Sequence, residues 1–212
     1  MERVRDSYDT VAERYADELA DELEGKPLER ALLRCFAELT AHVDGVVADV
    51  GCGPGHVTHH LAELGCEVVG IDLSPRMVNE ARKRFPGHSF DVGSMLELPP
   101  DAKWAGAVAF YSIIHMAPEQ RRAAFQELAR AIRPEGVLLL GFHVSDDEHT
   151  PGKSKYLEKW WGESVDITAH FLEPVEVVEE LAVAGFSVTT RVEREPRSGE
   201  YPSRRCYLIA VR

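Results

Sequence analysis

Apolar positions along this chain keep a helical rhythm first and a mixed one afterwards. Over residues 3–20, Val4, Tyr8, Val11, Tyr15 and Leu19 recur at helical spacing. Over 28–42, Leu28, Leu32, Cys35, Phe36 and Leu39 form a cleaner stripe. From residue 46 onward, short apolar runs alternate with amphipathic ones. The runs at 46–50, 67–71, 106–110 and 137–142 predict strands, with a shorter one near 88–92. Between them the pattern predicts helices over 55–63 and over 74–85, the latter with Ser74 as N-cap and Pro75 at its first position. A further helix opens at Pro118 and stops at Arg133-Pro134-Glu135-Gly136. A last helix runs from Pro174 to Gly185, and alternating strands near 186–193 and 204–211 predict a closing antiparallel hairpin. From His143 to Asp166 no period is visible, which predicts an irregular insertion of functional character. Alternating strands and helices imply an α/β fold: a mostly parallel sheet with helices on both faces.

One junction stands out. Val47-Ala48-Asp49-Val50 is a short apolar strand broken by an acid, and it runs into Gly51-Cys52-Gly53-Pro54-Gly55 before a helix. Glycine lets a ligand press against the backbone, and the strand-to-helix turn is where open α/β sheets bind ligands. The next strand, Val68-Val69-Gly70-Ile71-Asp72, also ends in an acid, and a carboxylate there can accept from both hydroxyls of a ribose. A dinucleotide fingerprint needs its third glycine one place later, where this chain has His56. Pro54 also removes a donor from the turn, so the loop suits a nucleoside ligand without phosphates.

Asp49, Gly51, Gly53 and Gly55 match, position for position, the first motif of the class I S-adenosylmethionine-dependent methyltransferases, which the chain resembles over nearly its whole length. The resemblance implies a Rossmann-like sheet with the C-terminal antiparallel pair, in a single domain spanning 1–212. Residues 1–42 would be lid helices and residues 143–171 a substrate-side insertion. It implies S-adenosyl-L-methionine as cofactor, with Asp72 on the ribose and Asp49 near the methionine ammonium. Gly51, Cys52, Gly53, Leu73, Met95 and Phe110 complete the cofactor site, and Tyr15 closes it. Gly93-Ser94-Met95-Leu96-Glu97-Leu98-Pro99 is similar to the third motif, with Ser94 where the family has an aspartate on the adenine amine. The tetrad that marks methylation of planar amines in DNA or glutamine is absent after residue 110. Trp104-Ala105 stand where an aromatic residue and an aspartate are usual.

The acceptor side is read from titratable and aromatic residues near strand ends. His115 follows the strand at 106–110, and imidazole titrates near neutrality, so it is the expected general base for a hydroxyl acceptor. His143 and His170 are its rivals, and with Tyr8 and Tyr111 they form the expected substrate contacts. Tyr8 and Tyr15 fit equally a core stripe and a lid. His56, His59 and His60 are expected on a solvated helix face, and Asp146-Asp147-Glu148-His149 in an exposed loop, with no metal at either.

Composition narrows the partners. The formal net charge of −12 disfavours nucleic acid and anionic membranes. Arg82-Lys83-Arg84, Arg121-Arg122 and Arg204-Arg205 are expected as solvated surface. Four scattered cysteines without a C-x-x-C pair, and a start, Met1-Glu2-Arg3-Val4, with no apolar leader core, predict a reducing, cytoplasmic setting. The expected partner is a small-molecule acceptor, handled by a monomer or a homodimer. A nicotinamide-dependent reductase and a non-catalytic S-adenosylmethionine-binding partner protein are the alternatives.

Overall fold

Val47, Ala48 and Val50 are all buried, so the first strand, β1 (Val47–Val50), must be covered on both faces and paired on both edges. The computed structural model, which describes residues 1–212, places it third from one edge of a seven-stranded sheet. Two helices precede it, α1 (Glu2–Glu18) and α2 (Pro27–Thr40). After it come α3 (His56–Glu63), β2 (Val68–Asp72), α4 (Pro75–Arg84), β3 (Ser89–Val92) and β4 (Trp104–Phe110). A short 3-10 turn, Ile113–His115, leads to α5 (Pro118–Ala131) and β5 (Ile132–Asp146). Then follow β6 (Ser154–Trp160), β7 (Glu163–His170), α6 (Pro174–Val183), β8 (Ser187–Arg194) and β9 (Ser203–Val211).

The sheet order is β3-β2-β1-β4-β5-β9-β8, parallel through β5 and closed by antiparallel β9 and β8. The chain winds outward from β1 to β3, then crosses back to β4. That reversal opens a crevice at the carboxyl ends of β1 and β4. Alternate residues of β5 serve opposite faces. Leu138 and Leu140 join the large core with Phe125, Leu128 and Leu181 from α5 and α6. Val137 and Leu139 join a smaller core with Leu33, Phe36 and Leu61 from α2 and α3. Ser74 caps α4 as expected, its Oγ accepting from Met77 N at 3.0 Å.

The region 143–171 departs from expectation. β5 continues to Asp146, and β6 and β7 form a separate antiparallel pair rather than an irregular segment. Its turn is Trp161-Gly162, both with positive φ (52° and 92°), between the paired Trp160 and Glu163. That is the backbone twist a two-residue hairpin demands. Val165 and Ile167, two apart on β7, are buried against Val11 of α1. This small core is separate from the two that flank the sheet. Ser7 Oγ of α1 accepts from Asp166 N at 2.8 Å. Asp9 Oδ1 accepts from Ser74 Oγ at 2.5 Å and from Arg76 N at 3.0 Å. α1 is thereby fastened to both the hairpin and α4, over the crevice. No helix is long and apolar enough to cross a membrane.

Candidate active site

The glycine loop is a tight bend hung from the neighbouring strand. Gly51 N and Cys52 N both donate to Ile71 O, at 2.7 and 3.1 Å. Gly51 has φ 84°, and a Cβ on it would lie 2.4 Å from Ser112 Cβ, so packing alone demands glycine there. Gly53, at φ 52°, is different. A Cβ there would meet only Tyr15 Cε1, at 3.8 Å, because that side of the residue faces a cavity.

Asp72 closes the loop. Its Oδ2 accepts from Gly53 N and its Oδ1 from Ser74 N, each at 2.8 Å. Burial raises its pKa, and these N–H groups act against the rise. An ionised carboxylate has about four lone-pair directions. Two are used by backbone, which leaves one on each oxygen, the pattern a vicinal diol fits. Asp49 is buried, and Thr58 Oγ1 donates to its Oδ2 at 2.7 Å. Burial pushes it up to about 6 despite that bond. Its partner is thus a side chain of α3.

The cavity that begins here has a volume of about 720 Å³. Leu73, Ser94 and Met95 line one end, and Ser94 Oγ already accepts from Leu96 N at 3.1 Å. Cys52 and Phe110 line its floor. Tyr8 and Tyr15 form its roof, where both meet Trp160 edge to face with centroids 5.8 and 5.5 Å apart. The two tyrosines thus pack with the hairpin and cover the cavity at once. At the other end stand Tyr111, His115, His143 and His170. Tyr111, a non-glycine residue at φ 56°, bends the chain sharply out of β4. Its hydroxyl lies 2.8 Å from that of Tyr207, which in turn donates to buried Glu29. Burial, followed by the nearby Arg205, lowers His143 to about 3, and its Nδ1 lies 2.6 Å from Ser203 Oγ.

His115 is not the free base that the sequence suggests. Its Nδ1 lies 3.1 Å from Thr168 O, a pure acceptor, so that nitrogen carries the proton. Nε2 is then the lone-pair nitrogen, and Tyr8 Oη–H donates to it at 2.7 Å. Burial lowers the ring's pKa to about 4, against the opposing Thr168 bond. Tyr8 thus occupies the nitrogen that a general base would use.

Other expectations fail for tertiary reasons. Arg121 is buried, its guanidinium paired with Glu180 at 2.6 and 2.9 Å. Arg205 is buried too, held by Glu200 at 3.0 Å and by the carbonyls of Ser203 and Tyr201. His56 faces the cavity rather than solvent, with Nε2 3.1 Å from Glu22 Oε2. His59 stacks on Phe85, with centroids 4.5 Å apart. The Asp146 side chain is tucked away, accepting from Tyr201 Oη and bonded to His149 at 2.8 Å each. No group of three or more His, Cys, Asp or Glu side chains is placed to hold a metal.

The cavity also has members that sequence reasoning missed. Glu22 and Lys26, in the connection between α1 and α2, are ion-paired beside the glycine loop. Burial would raise Glu22, but His56 and Lys26 hold it down at about 2. The i,i+4 spacing of Glu22 and Lys26 was the available signal, and it reads equally as a surface pair. Trp160 and Trp161 stack on each other and border the roof.

Residues 47–136 match a family described as a methyltransferase domain. Among curated proteins, the chain is 35% identical over 101 residues to the malonyl-[acyl-carrier protein] O-methyltransferase of Serratia marcescens. It is 38% identical over 98 residues to the trans-aconitate 2-methyltransferase of Methylobacterium nodulans. These alignments cover 47% and 43% of this chain and only 39% and 36% of the relatives' own lengths. Among solved structures, the complex of DhpI with S-adenosylhomocysteine superposes with a TM-score of 0.74 at 23% identity, covering 99% of this chain and 95% of that one. The magnesium protoporphyrin IX methyltransferase of Synechocystis PCC 6803, with bound S-adenosylmethionine, gives 0.72 at 22% identity over the same shares. Residues 47–136 thus match a methyltransferase domain, and the whole chain shares its fold with solved S-adenosylmethionine-dependent methyltransferases.

Proposed function

We propose that the chain transfers the methyl group of S-adenosyl-L-methionine to a hydroxyl or amine of a small molecule. One observation carries this reading: a single cavity runs from Asp72 and Gly53 to Tyr111 and His115. Asp72 would hold the ribose hydroxyls on its two remaining lone-pair directions. Asp49 would meet the ammonium of the amino-acid tail. Leu73, Ser94 and Met95 would border the adenine, with Tyr15 and Tyr8 closing overhead. S-adenosylmethionine supplies an electrophilic methyl on its sulfonium, so the chain's own work is to position, dehydrate and deprotonate. A cavity of about 720 Å³ is within the range of small-molecule sites and must house both reactants. That favours a small acceptor or the tip of a carried one over a bulky polymer. The relatives' names span malonyl-[acyl-carrier protein] and trans-aconitate, so the acceptor is not inherited from them.

Binding is the direct test. S-adenosylhomocysteine at a hundred times its dissociation constant should stabilise the fold by about 2.7 kcal/mol, visible as a raised melting temperature. NAD and NADP should give no shift; the reverse result would favour the reductase alternative. Asp72→Ala should weaken S-adenosylhomocysteine about tenfold to a hundredfold, the scale of a lost charged hydrogen bond. Because Asp72 also holds Gly53 N and Ser74 N, the variant should melt lower as well. Methyl transfer to a metabolite panel then separates an enzyme from a partner protein that only binds.

A further inference from the structure

Building on the methyl-transfer reading, we infer that the acceptor is an uncharged hydroxyl, and that Tyr8 takes its proton while passing its own to His115. Three elements supply the parts: Tyr8 from α1, His115 from the turn after β4, and Thr168 from β7. The carbonyl of Thr168 fixes the imidazole tautomer, and the tautomer fixes the direction of the Tyr8 hydrogen bond. Tyr8 Oη is thus a donor to Nε2 at 2.7 Å, with its own lone pairs left to accept. A phenol that donates becomes a better acceptor, so the pair is polarised toward the cavity.

The charges around this end argue for a neutral acceptor. Lys26 is paired with Glu22, Arg205 with Glu200 and two carbonyls, and Lys155 donates to Tyr201 Oη. Arg197 borders the cavity from an exposed loop. The buried cations here, Lys26 and Arg205, thus each have an acidic partner already, with Arg205 Nε the one buried N–H of the two without a hydrogen bond. Glu22 is paired with His56 and Lys26, and Glu29 with Arg194 and Tyr207 through Oε1, so each carboxylate already has a cationic partner, although Glu29 Oε2 is buried with no hydrogen bond. The Tyr8–His115 pair is surrounded by Tyr15, Trp160 and His170, with Asp72 the nearest acid acting on Tyr8.

The step balances. The acceptor oxygen bonds to the methyl carbon, and the carbon–sulfur bond breaks with its pair remaining on sulfur. The acceptor proton moves to Tyr8 Oη as the Tyr8 proton moves to His115 Nε2. A positive charge appears on the imidazole as one disappears from the sulfonium, so the net charge of the buried site is unchanged. Thr168 O then accepts from an imidazolium N–H, a stronger bond than before. Burial, which holds His115 at about 4, keeps it unprotonated and ready at neutral pH.

The test uses wild type, Tyr8→Phe and His115→Gln, each first titrated with S-adenosylhomocysteine. Loss of binding by wild type would remove the underlying methyl-transfer reading, independently of the relay. Imidazole nitrogen NMR should find His115 as the Nδ1–H tautomer. Its pKa should rise in Tyr8→Phe, because the neutral ring loses its donor. A panel of one aromatic ring bearing a hydroxyl, a carboxylate or an amine should show turnover of the hydroxyl. Tyr8→Phe should lower kcat on it about a hundredfold, the scale of general-base loss, with KM changed only a few-fold. The inference is overturned if the carboxylate or amine is preferred and its rate survives Tyr8→Phe. It is equally overturned if Tyr8→Phe leaves the His115 titration where it was.

Discussion

Asp49 carries the least comfortable charge in the cavity. Its carboxyl is raised to about 6 by burial, against an ordinary value near 3.9 in an unfolded chain. For an acid raised on folding, the native state holds more protons between those two values. Stability therefore falls as pH rises from about 4 to 6 and stays lower above, by about 3 kcal/mol for the full shift. Asp49→Asn keeps an acceptor for Thr58 and sheds the charge. It should melt higher than wild type at pH 8 and no higher at pH 4, by scanning calorimetry. The same titration sets ligand affinity. If Asp49 meets an ammonium, wild-type S-adenosylhomocysteine affinity should fall as pH drops below 6, and Asp49→Asn should bind weakly at every pH. At this scale the sequence was informative about position and not about state. Asp49, Gly53 and Asp72 are legible because backbone geometry and local spacing place them. That His115 is lowered and occupied is not, because Tyr8 and Thr168 reach it from segments far along the chain.

Elements repeat the lesson. The βαβ units and the capped helices follow from local periodicity, and the structure reproduces their order, although β5 extends well beyond the expected 137–142, from Ile132 to Asp146. The β6–β7 hairpin escaped notice because Tyr156, Trp160 and Trp161 blur its alternation. The Val165, Ile167 and Ala169 register on β7 was nonetheless present, as was a glycine at the turn. Arg121 was misplaced for another reason. Its partner, Glu180, is on α6, and only packing of α6 beside α5 converts a surface-looking arginine into a buried ion pair. Removing one partner of such a pair leaves the other charge buried, at a cost of about 3–5 kcal/mol. Arg121→Met should therefore lower the melting temperature strongly, while Arg121→Met with Glu180→Leu should recover most of the loss. Chemical denaturation of both variants measures the difference, and equal stability of single and double variants would deny the pair its structural role.

Across the whole molecule, the two halves of the cavity come from different parts of the chain. The glycine loop, Asp72, Met95 and His115 fall within residues 47–136, which match the domain family. Tyr8, Tyr15, Trp160, His143, His170 and Arg205 fall outside it. The roof has a physical unity of its own: Val11, Val165 and Ile167 make a small core with Tyr8, Tyr15 and Trp160 that joins α1 to the hairpin and excludes the sheet. A body with so few buried contacts opens at lower free energy than the sheet beneath it. Backbone amides of α1 and of β6–β7 should therefore exchange with deuterium as one cooperative unit, ahead of β1, β4 and β5. S-adenosylhomocysteine should slow both segments together. If α1 exchanges independently of the hairpin, the roof is two parts. If they keep one rate, helix and hairpin lift as a single cover, and any step that needs the cover raised can run no faster than that unit opens.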